Sequence, residues 1–292
     1  MPSIWQSVEV EPVRPVDGPM RLDRPARVRL WWEIGIVLAL SVGRSALYSV
    51  LQLVQSLERE ESLGQQSTSV NPGAAASEFW PVLYQFLSQF FALVPVALAI
   101  WLLWEPGTSA FRRIGLDFRR FGGDVGRGAL LILVIGMPGL GLYAIGRALD
   151  ITLQVDASPL DPSWWTIPLI LLAAVRAGLT EEVIFIGYLF DRLRRLGWGW
   201  WTIILSTAAL RGAYHAYQGF GPMIGNFVMG VVFGWCYRRW GRVMPLVIAH
   251  TLIDVIAFVG YPLAAALWPG VFGVPAGPSP APSGSPSPSA TP

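Results

Sequence analysis

Between Trp31 and Trp268 the chain alternates long apolar runs with short polar connections. A spanning helix needs roughly 20 consecutive apolar residues, and runs of that order cover residues 31–57, 79–104, 128–149, 164–190, 198–217, 223–237 and 243–267. This pattern predicts an all-α fold, a polytopic transmembrane helical bundle of about seven spanning helices. Splitting or merging one run changes the count by one, so six to eight is the range. No internal repeat stands out, which argues against an inverted-repeat transporter.

Composition and charge place the runs in a bilayer. Of 292 residues 53% are apolar, only 14% are charged and 14 are tryptophan, a balance that excludes an ordinary water-soluble domain. Most tryptophans sit near run ends, as in an interfacial belt. All 21 basic residues are arginine, clustered in alternate connections: Arg112, Arg113, Arg119, Arg120 and Arg127; then Arg192, Arg194 and Arg195; then Arg238, Arg239 and Arg242. The intervening connections are nearly free of bases. Such alternation is a topology signal and not a nucleic-acid footprint; it predicts an odd number of spans with a cytoplasmic N-terminus. The 111–127 connection, with Phe111 and Phe118, is suited to lie along the membrane surface. The lysine-free, alanine- and arginine-rich composition predicts a multi-pass protein of a bacterial plasma membrane. Residues 1–30 are expected to form a disordered cytoplasmic arm and 269–292 a disordered Pro/Ser/Ala-rich tail. The single cysteine, Cys236, excludes an intrachain disulfide or a cysteine cluster and is expected to pack.

Ionisable residues inside spanning helices cost about 2.5–3.5 kcal/mol each even on the gentler insertion scale, and here they cluster. Arg176, Glu181 and Glu182 fall in the fourth run, Arg211 and His215 in the fifth, His250 and Asp254 in the seventh. Both histidines of the chain belong to this set. Residues four apart share a helix face, so Arg211 stacks with His215 and His250 with Asp254, while the adjacent Glu181 and Glu182 point about 100° apart. Taken singly, each has a bland role as interhelical glue or a snorkelling base. Together, two adjacent carboxylates, a third acid and two imidazoles are what general acid/base chemistry or a metal site requires. Depth poses one difficulty. Counted from the turns at Gly197 and Gly241, Glu181 and His215 sit level, but His250 and Asp254 fall roughly 7–14 Å short on straight helices. Tilt, or a fifth helix broken near Gly212, must close that gap. Gly230 and Gly234 form a GxxxG spacing expected to pack, and Asn226 is one further polar side chain of interest.

From about residue 164 to 260 the sequence resembles the CPBP family of intramembrane proteases, the group of CAAX prenyl proteases and bacteriocin-processing and self-immunity proteins. The family pattern is EExxxR, FxxxH and HxxxN or HxxxD on separate helices. Glu181 and Glu182 supply the paired acids, with Ile186 in place of arginine; His215 ends the second motif, which begins at Arg211 in place of phenylalanine; His250 and Asp254 complete the third. The two departures have the form of one exchange, in which Arg211 reaches across from the fifth helix to neutralise Glu182.

The resemblance implies an intramembrane endopeptidase acting on a membrane-associated peptide or protein. It makes Glu181, assisted by His215, the base that activates water, with His250 and Asp254 orienting and stabilising the oxyanion. A catalytic zinc held by two histidines and a glutamate is the alternative to a metal-free glutamate mechanism. Two rival functions stay open: a proton-coupled transporter or channel using the buried Glu and His as relays, and a catalytically silent relative that binds membrane partners.

Overall fold

The computed structural model describes residues 22–69, 79–156 and 164–260. Most of the arm expected over 1–30 and all of the tail expected over 269–292 lie outside these residues. The arm's last residues are nonetheless helical. Helix α1 (Arg24–Leu40) starts where Asp23 accepts a bond from the backbone N–H of Ala26 at 2.9 Å and a proline sits in the first turn, the first satisfying an otherwise orphaned N–H group and the second removing one. It bends by 56° at Ser41 into α2 (Val42–Leu57).

The second run divides into α3 (Phe79–Phe91) and α4 (Val94–Leu102) around Pro95. A short α5 (Ala110–Ile114) ends at Gly115, whose φ of 66° is left-handed. The third run is continuous through α6 (Phe121–Leu131), a π-helical stretch (Ile132–Gly136) and α7 (Met137–Ala148). The fourth comprises α8 (Thr166–Glu181), a π-helical segment (Glu182–Tyr188) and α9 (Leu189–Arg195). Then come α10 (Trp200–Tyr214), α11 (Phe220–Trp240) and α12 (Met244–Val255), the last continuing as π-helix to Gly260. Two three-residue strands, β1 (Ser67–Ser69) and β2 (Gln154–Asp156), pair in parallel.

Three of these runs, Phe79–Leu102, Phe121–Ala148 and Phe220–Trp240, are long and apolar enough to cross a membrane; counting the bent α1–α2 pair as one span makes four among the described residues. The expectation of about seven spans is therefore met only in part. The shortfall falls on the ionisable runs. Helix α10 has 15 residues, the apolar helix that α12 begins runs only from Met244 to Val259, and the fourth run carries Arg176, Glu181 and Glu182; each keeps some exposed apolar residues, such as Ile167, Leu205 and Leu252. The exterior is apolar: α3 buries no residue, and Trp32, Trp80, Tyr84, Trp101 and Met137 stand well exposed. Large apolar groups outside with charges within is the arrangement of a protein solvated by lipid.

Glycines set the closest helix contacts, as the GxxxG spacing predicts. A Cβ on Gly230 would meet Ala208 Cα at 2.9 Å, and one on Gly234 would meet Phe190 at 3.0 Å, so α10 and α11 approach to backbone contact. Cys236 is free and buried in the apolar core. Asn226 only bonds back to the Pro222 carbonyl one turn earlier, at 3.0 Å.

The arginine clusters are less free than their topological signal suggests. Arg113 pairs with Glu105 at 2.6 Å and Asp191 at 2.5 Å; Arg192 pairs with Glu33 at 2.6 Å and Asp191 at 2.7 Å; Arg195 pairs with Asp191 at 2.9 Å and with Glu105. This ionic layer ties α1, the end of α4, α5 and α9 together. Arg113, hydrogen-bonded to the Glu105 carboxylate, outweighs its partial burial and holds its pKa down at about 2. A second lock joins Arg242 to Asp124 at 2.6 Å and Asp117 at 2.9 Å. Hydrogen bonds that the Arg242 guanidinium donates to both acids keep it above its ordinary range, Asp124 contributing most.

Candidate active site

The paired acids straddle a change of helix type. Glu181 is the last residue of α8 and Glu182 the first of the π-helical segment, a rare form that concentrates at functional sites. The following residues, Val183 to Ile186, are buried and apolar. His215 stands where α10 stops. The helix runs unbroken through Gly212 and ends at Tyr214, so the break expected near Gly212 occurs three residues later, with His215 as the cap. Gly219 permits the turn that follows: its φ is 97°, and a Cβ there would meet the Ile151 carbonyl oxygen at 2.9 Å.

The expected depth gap is closed at the start of α12. The N–H of Val243 donates to the Ile114 carbonyl at 2.9 Å, and that of Met244 to Gly115 at 3.1 Å. Ile114 in turn packs on Gly187, where a Cβ would lie 3.1 Å from Ile114 Cδ1. Helix α12 thus starts beside Gly187, a little over one turn from Glu182, and not level with Gly197 at the end of α9. Gly178 then lets α8 and α12 touch, since a Cβ there would lie 2.6 Å from Thr251 Oγ1. His250 is carried to the acids although α10 runs unbroken through Gly212.

The six expected side chains meet in one cluster, in which Glu181, Glu182, Arg211 and His250 are buried and His215 and Asp254 half-buried. Arg211 Nη2 pairs with Glu182 Oε1 and lies 3.1 Å from Glu181 Oε2 and 2.9 Å from His250 Nδ1. His250 Nδ1 is 2.7 Å from the same Glu182 oxygen. A guanidinium only donates, so both cationic-type donors converge on one carboxylate when His250 carries its proton on Nδ1. The other ring nitrogen, Nε2, lies 3.6 Å from Asp254 Oδ2 and 4.0 Å from Glu181 Oε1. His215 Nε2 stands 3.6 Å from Glu181 Oε2. The exchange read from the motifs is present in space: Arg211 sits on Glu182, while Ile186 is buried in the apolar core. Phe233 and Phe185 flank the guanidinium at 5.4 and 5.9 Å from their ring centroids, within cation–π range. Arg176, also in α8, makes no ion pair with this cluster, and its Nε is buried without a hydrogen-bond partner.

Several atoms of the cluster are buried without a hydrogen-bond partner: Glu181 Oε2, Glu182 Oε2, Arg211 Nε and Nη1, and both ring nitrogens of His215. Each such atom costs about 1–3 kcal/mol, and native interiors hold few of them. Glu182 is committed to Arg211 and His250. Glu181 and His215 retain unpartnered atoms and face each other at 3.6 Å, just beyond direct hydrogen-bond range.

Two histidines and a glutamate are a known zinc set, but these do not fit it. The Arg211 guanidinium already stands where both carboxylates and the His250 ring converge, and a divalent cation there would meet a like charge at contact distance. Among the described residues, no group of three or more His, Cys, Asp or Glu side chains is arranged to hold a metal ion.

Sequence reasoning did not find the partners of the inner arginines, the role of Gly178, or Tyr214, whose ring meets His215 edge-on at 4.8 Å. No curated protein and no solved structure matches the chain. Residues 163–256 match the family model described as Rce1-like, type II CAAX prenyl endopeptidase; the span of that match contains every member of the cluster and supports the resemblance to the CPBP-type intramembrane proteases.

Proposed function

We propose that the chain hydrolyses a peptide bond of a membrane-associated peptide or protein with a glutamate-activated water and no metal. The observation that carries this is the convergence of Glu181, Glu182, Arg211, His215, His250 and Asp254 in one largely buried cluster in which Glu181 and His215 face each other with unpartnered polar atoms.

Glu181 is the general base, taking the proton of a water held between its carboxylate and His215 as that water attacks the scissile carbonyl. His215 orients the water and relays the proton from Glu181 to the leaving amine, returning both groups to their starting state. Glu182 is the anchor, fixing Arg211 and the Nδ1 side of His250 so that the His250 Nε2 edge and the free donors of Arg211 face the developing oxyanion, where preorganised charge in a dry site acts most strongly. Asp254 steadies His250 from one turn away. Arg211 thus supplies the fixed positive charge that a metal would otherwise provide.

The test uses the full-length protein in liposomes with membrane-anchored reporter peptides. Glu181→Ala should abolish cleavage while leaving the protein folded, and His215→Ala should lower it by about 100-fold or more, the usual range for one acid/base group. Cleavage that survives Glu181→Ala removes the assigned base. A pH-driven ion flux in the same liposomes without proteolysis would favour a transporter.

A further inference from the structure

The three runs long and apolar enough to cross a membrane share one end: Leu102 closes the first, Phe121 opens the second and Trp240 closes the third. Contacts hold those ends at one level. Arg113 pairs with Glu105 just past Leu102, Arg242 just past Trp240 pairs with Asp124 in the first turn of α6, and Arg127 stands over the Trp240 ring at 5.3 Å from its centroid. The connection that leads to Phe121, with α5 in it, therefore lies at the depth where apolar helices meet lipid headgroups.

Part of this connection is bolted down. Ala110, Arg113 and Ile114 are buried, the N–H groups of Val243 and Met244 donate to the Ile114 and Gly115 carbonyls, and Arg242 pairs with Asp117. Its other side chains stand free. Phe111, Phe118 and Phe121 are 41, 75 and 49% exposed, the last two with ring centroids 5.8 Å apart, and the interleaved Arg112, Arg119 and Arg120 are exposed as well. The acids at this level are already engaged, Glu105 and Asp191 by Arg113 and Arg195, Asp117 and Asp124 by Arg242. Among the described residues no carboxylate pairs with Arg112, Arg119 or Arg120.

Three large rings left in water forgo the gain of burial, and unneutralised guanidinium groups gathered in one connection repel one another. A headgroup layer answers both: rings enter the acyl boundary, and guanidinium groups bind phosphate oxygens in pairs. A zwitterionic headgroup offsets its phosphate with its own ammonium, whereas an anionic one leaves the charge for the protein. We infer that residues 111–121 form a binding surface for anionic phospholipid headgroups, with the phosphate on Arg112, Arg119 and Arg120 and the start of the acyl chains against Phe111, Phe118 and Phe121. This surface stands independently of the proposed chemistry, and its test needs no proteolysis.

The full-length protein in a non-ionic detergent is titrated with phosphatidylglycerol or phosphatidylcholine, bound lipid being counted by native mass spectrometry and the unfolding midpoint followed by tryptophan fluorescence. An arginine near a headgroup is worth about fivefold in affinity, so the wild type should retain phosphatidylglycerol at a concentration about tenfold or more below that needed for phosphatidylcholine, and be stabilised by it. Arg112→Gln with Arg119→Gln and Arg120→Gln should bring the two lipids level. Phe118→Ser with Phe121→Ser should weaken both alike, because the rings do not sense headgroup charge. Arg238→Gln with Arg239→Gln removes exposed charge from the same end of the molecule but outside the connection, and should keep the preference. All these side chains are exposed, so the variants should fold. Equal retention of the two lipids by the wild type, a preference that survives the triple substitution, or an equal loss in the Arg238 and Arg239 variant overturns the surface. So does stabilisation by inorganic phosphate alone as strong as that by phosphatidylglycerol, which would make a free anion the occupant.

Discussion

Arg211 is the most informative single position. It is 1% exposed and its ion-pair partner Glu182 is fully buried, so Arg211→Met leaves a similar volume but strands a carboxylate in a dry interior. Removing one member of a buried pair typically costs about 3–5 kcal/mol, because the remaining charge has lost its compensation. Three variants in detergent micelles separate the causes, with unfolding followed by tryptophan fluorescence. Arg211→Met should lower the midpoint of thermal unfolding sharply. Arg211→Met with Glu182→Gln, which removes both charges, should recover more than half of that loss. Arg211→Met with Glu181→Gln should recover less, since Glu181 stands farther from the guanidinium, at 3.1 Å. A relocated cation, Arg211→Phe with Ile186→Arg, should regain proteolysis relative to Arg211→Phe alone. Equal recovery by the two Gln doubles would refute the assignment of Glu182 as the principal partner, and a relocated cation no better than Arg211→Phe would refute the exchange of positions.

Gly178→Val should cost about 1–3 kcal/mol by overpacking and slow cleavage at least 10-fold, because the added methyls push Thr251 and with it the turn of α12 that carries His250; wild-type activity would show that α8 and α12 need not touch. Glu105 has its pKa lowered from 4.5 to about 2, so its contribution to stability is complete above about pH 4.5 and is lost as pH falls toward 2. Unfolding midpoints measured across that window should fall more steeply in the wild type than in Glu105→Gln, and parallel curves would remove Glu105 from the ionic layer's stabilisation. Dialysis against a strong zinc chelator should leave both metal content, read by elemental analysis, and proteolysis unchanged; restoration of lost activity by added zinc would overturn the assignment of Arg211 as the site's cation.

The helical class and the members of the site were legible because their signals are local: apolar runs, and expensive charges at helical spacing. Arg211 could be placed on Glu182 from two motif departures alone, since a buried acid must find a cation somewhere. What failed was depth. Counting residues from the Gly197 and Gly241 turns presumes that all helices start level, whereas α12 begins beside Gly187 through the Val243–Ile114 bond, a tertiary contact with no sequence mark. The partners of the arginine-rich connections stay hidden because the topology rule counts bases and passes over Glu33, Glu105, Asp124 and Asp191.

The turn that carries His215 is fastened from outside the motif-bearing third of the molecule. Leu153 donates its N–H to the Gln218 carbonyl at 3.1 Å, Phe220 donates to Ile151 at 3.0 Å, and Ser49 accepts from Tyr217; Arg147 holds the fastening segment itself by bonding Thr152 and Gly64 carbonyls at 3.1 and 2.6 Å. An excised piece covering only residues 164–260 would keep every acid and imidazole yet surrender the buckle that sets the angle of one of them. The smallest working unit therefore reaches back to α2, and transplanting the motifs alone into another helical frame would transfer the ingredients without the alignment.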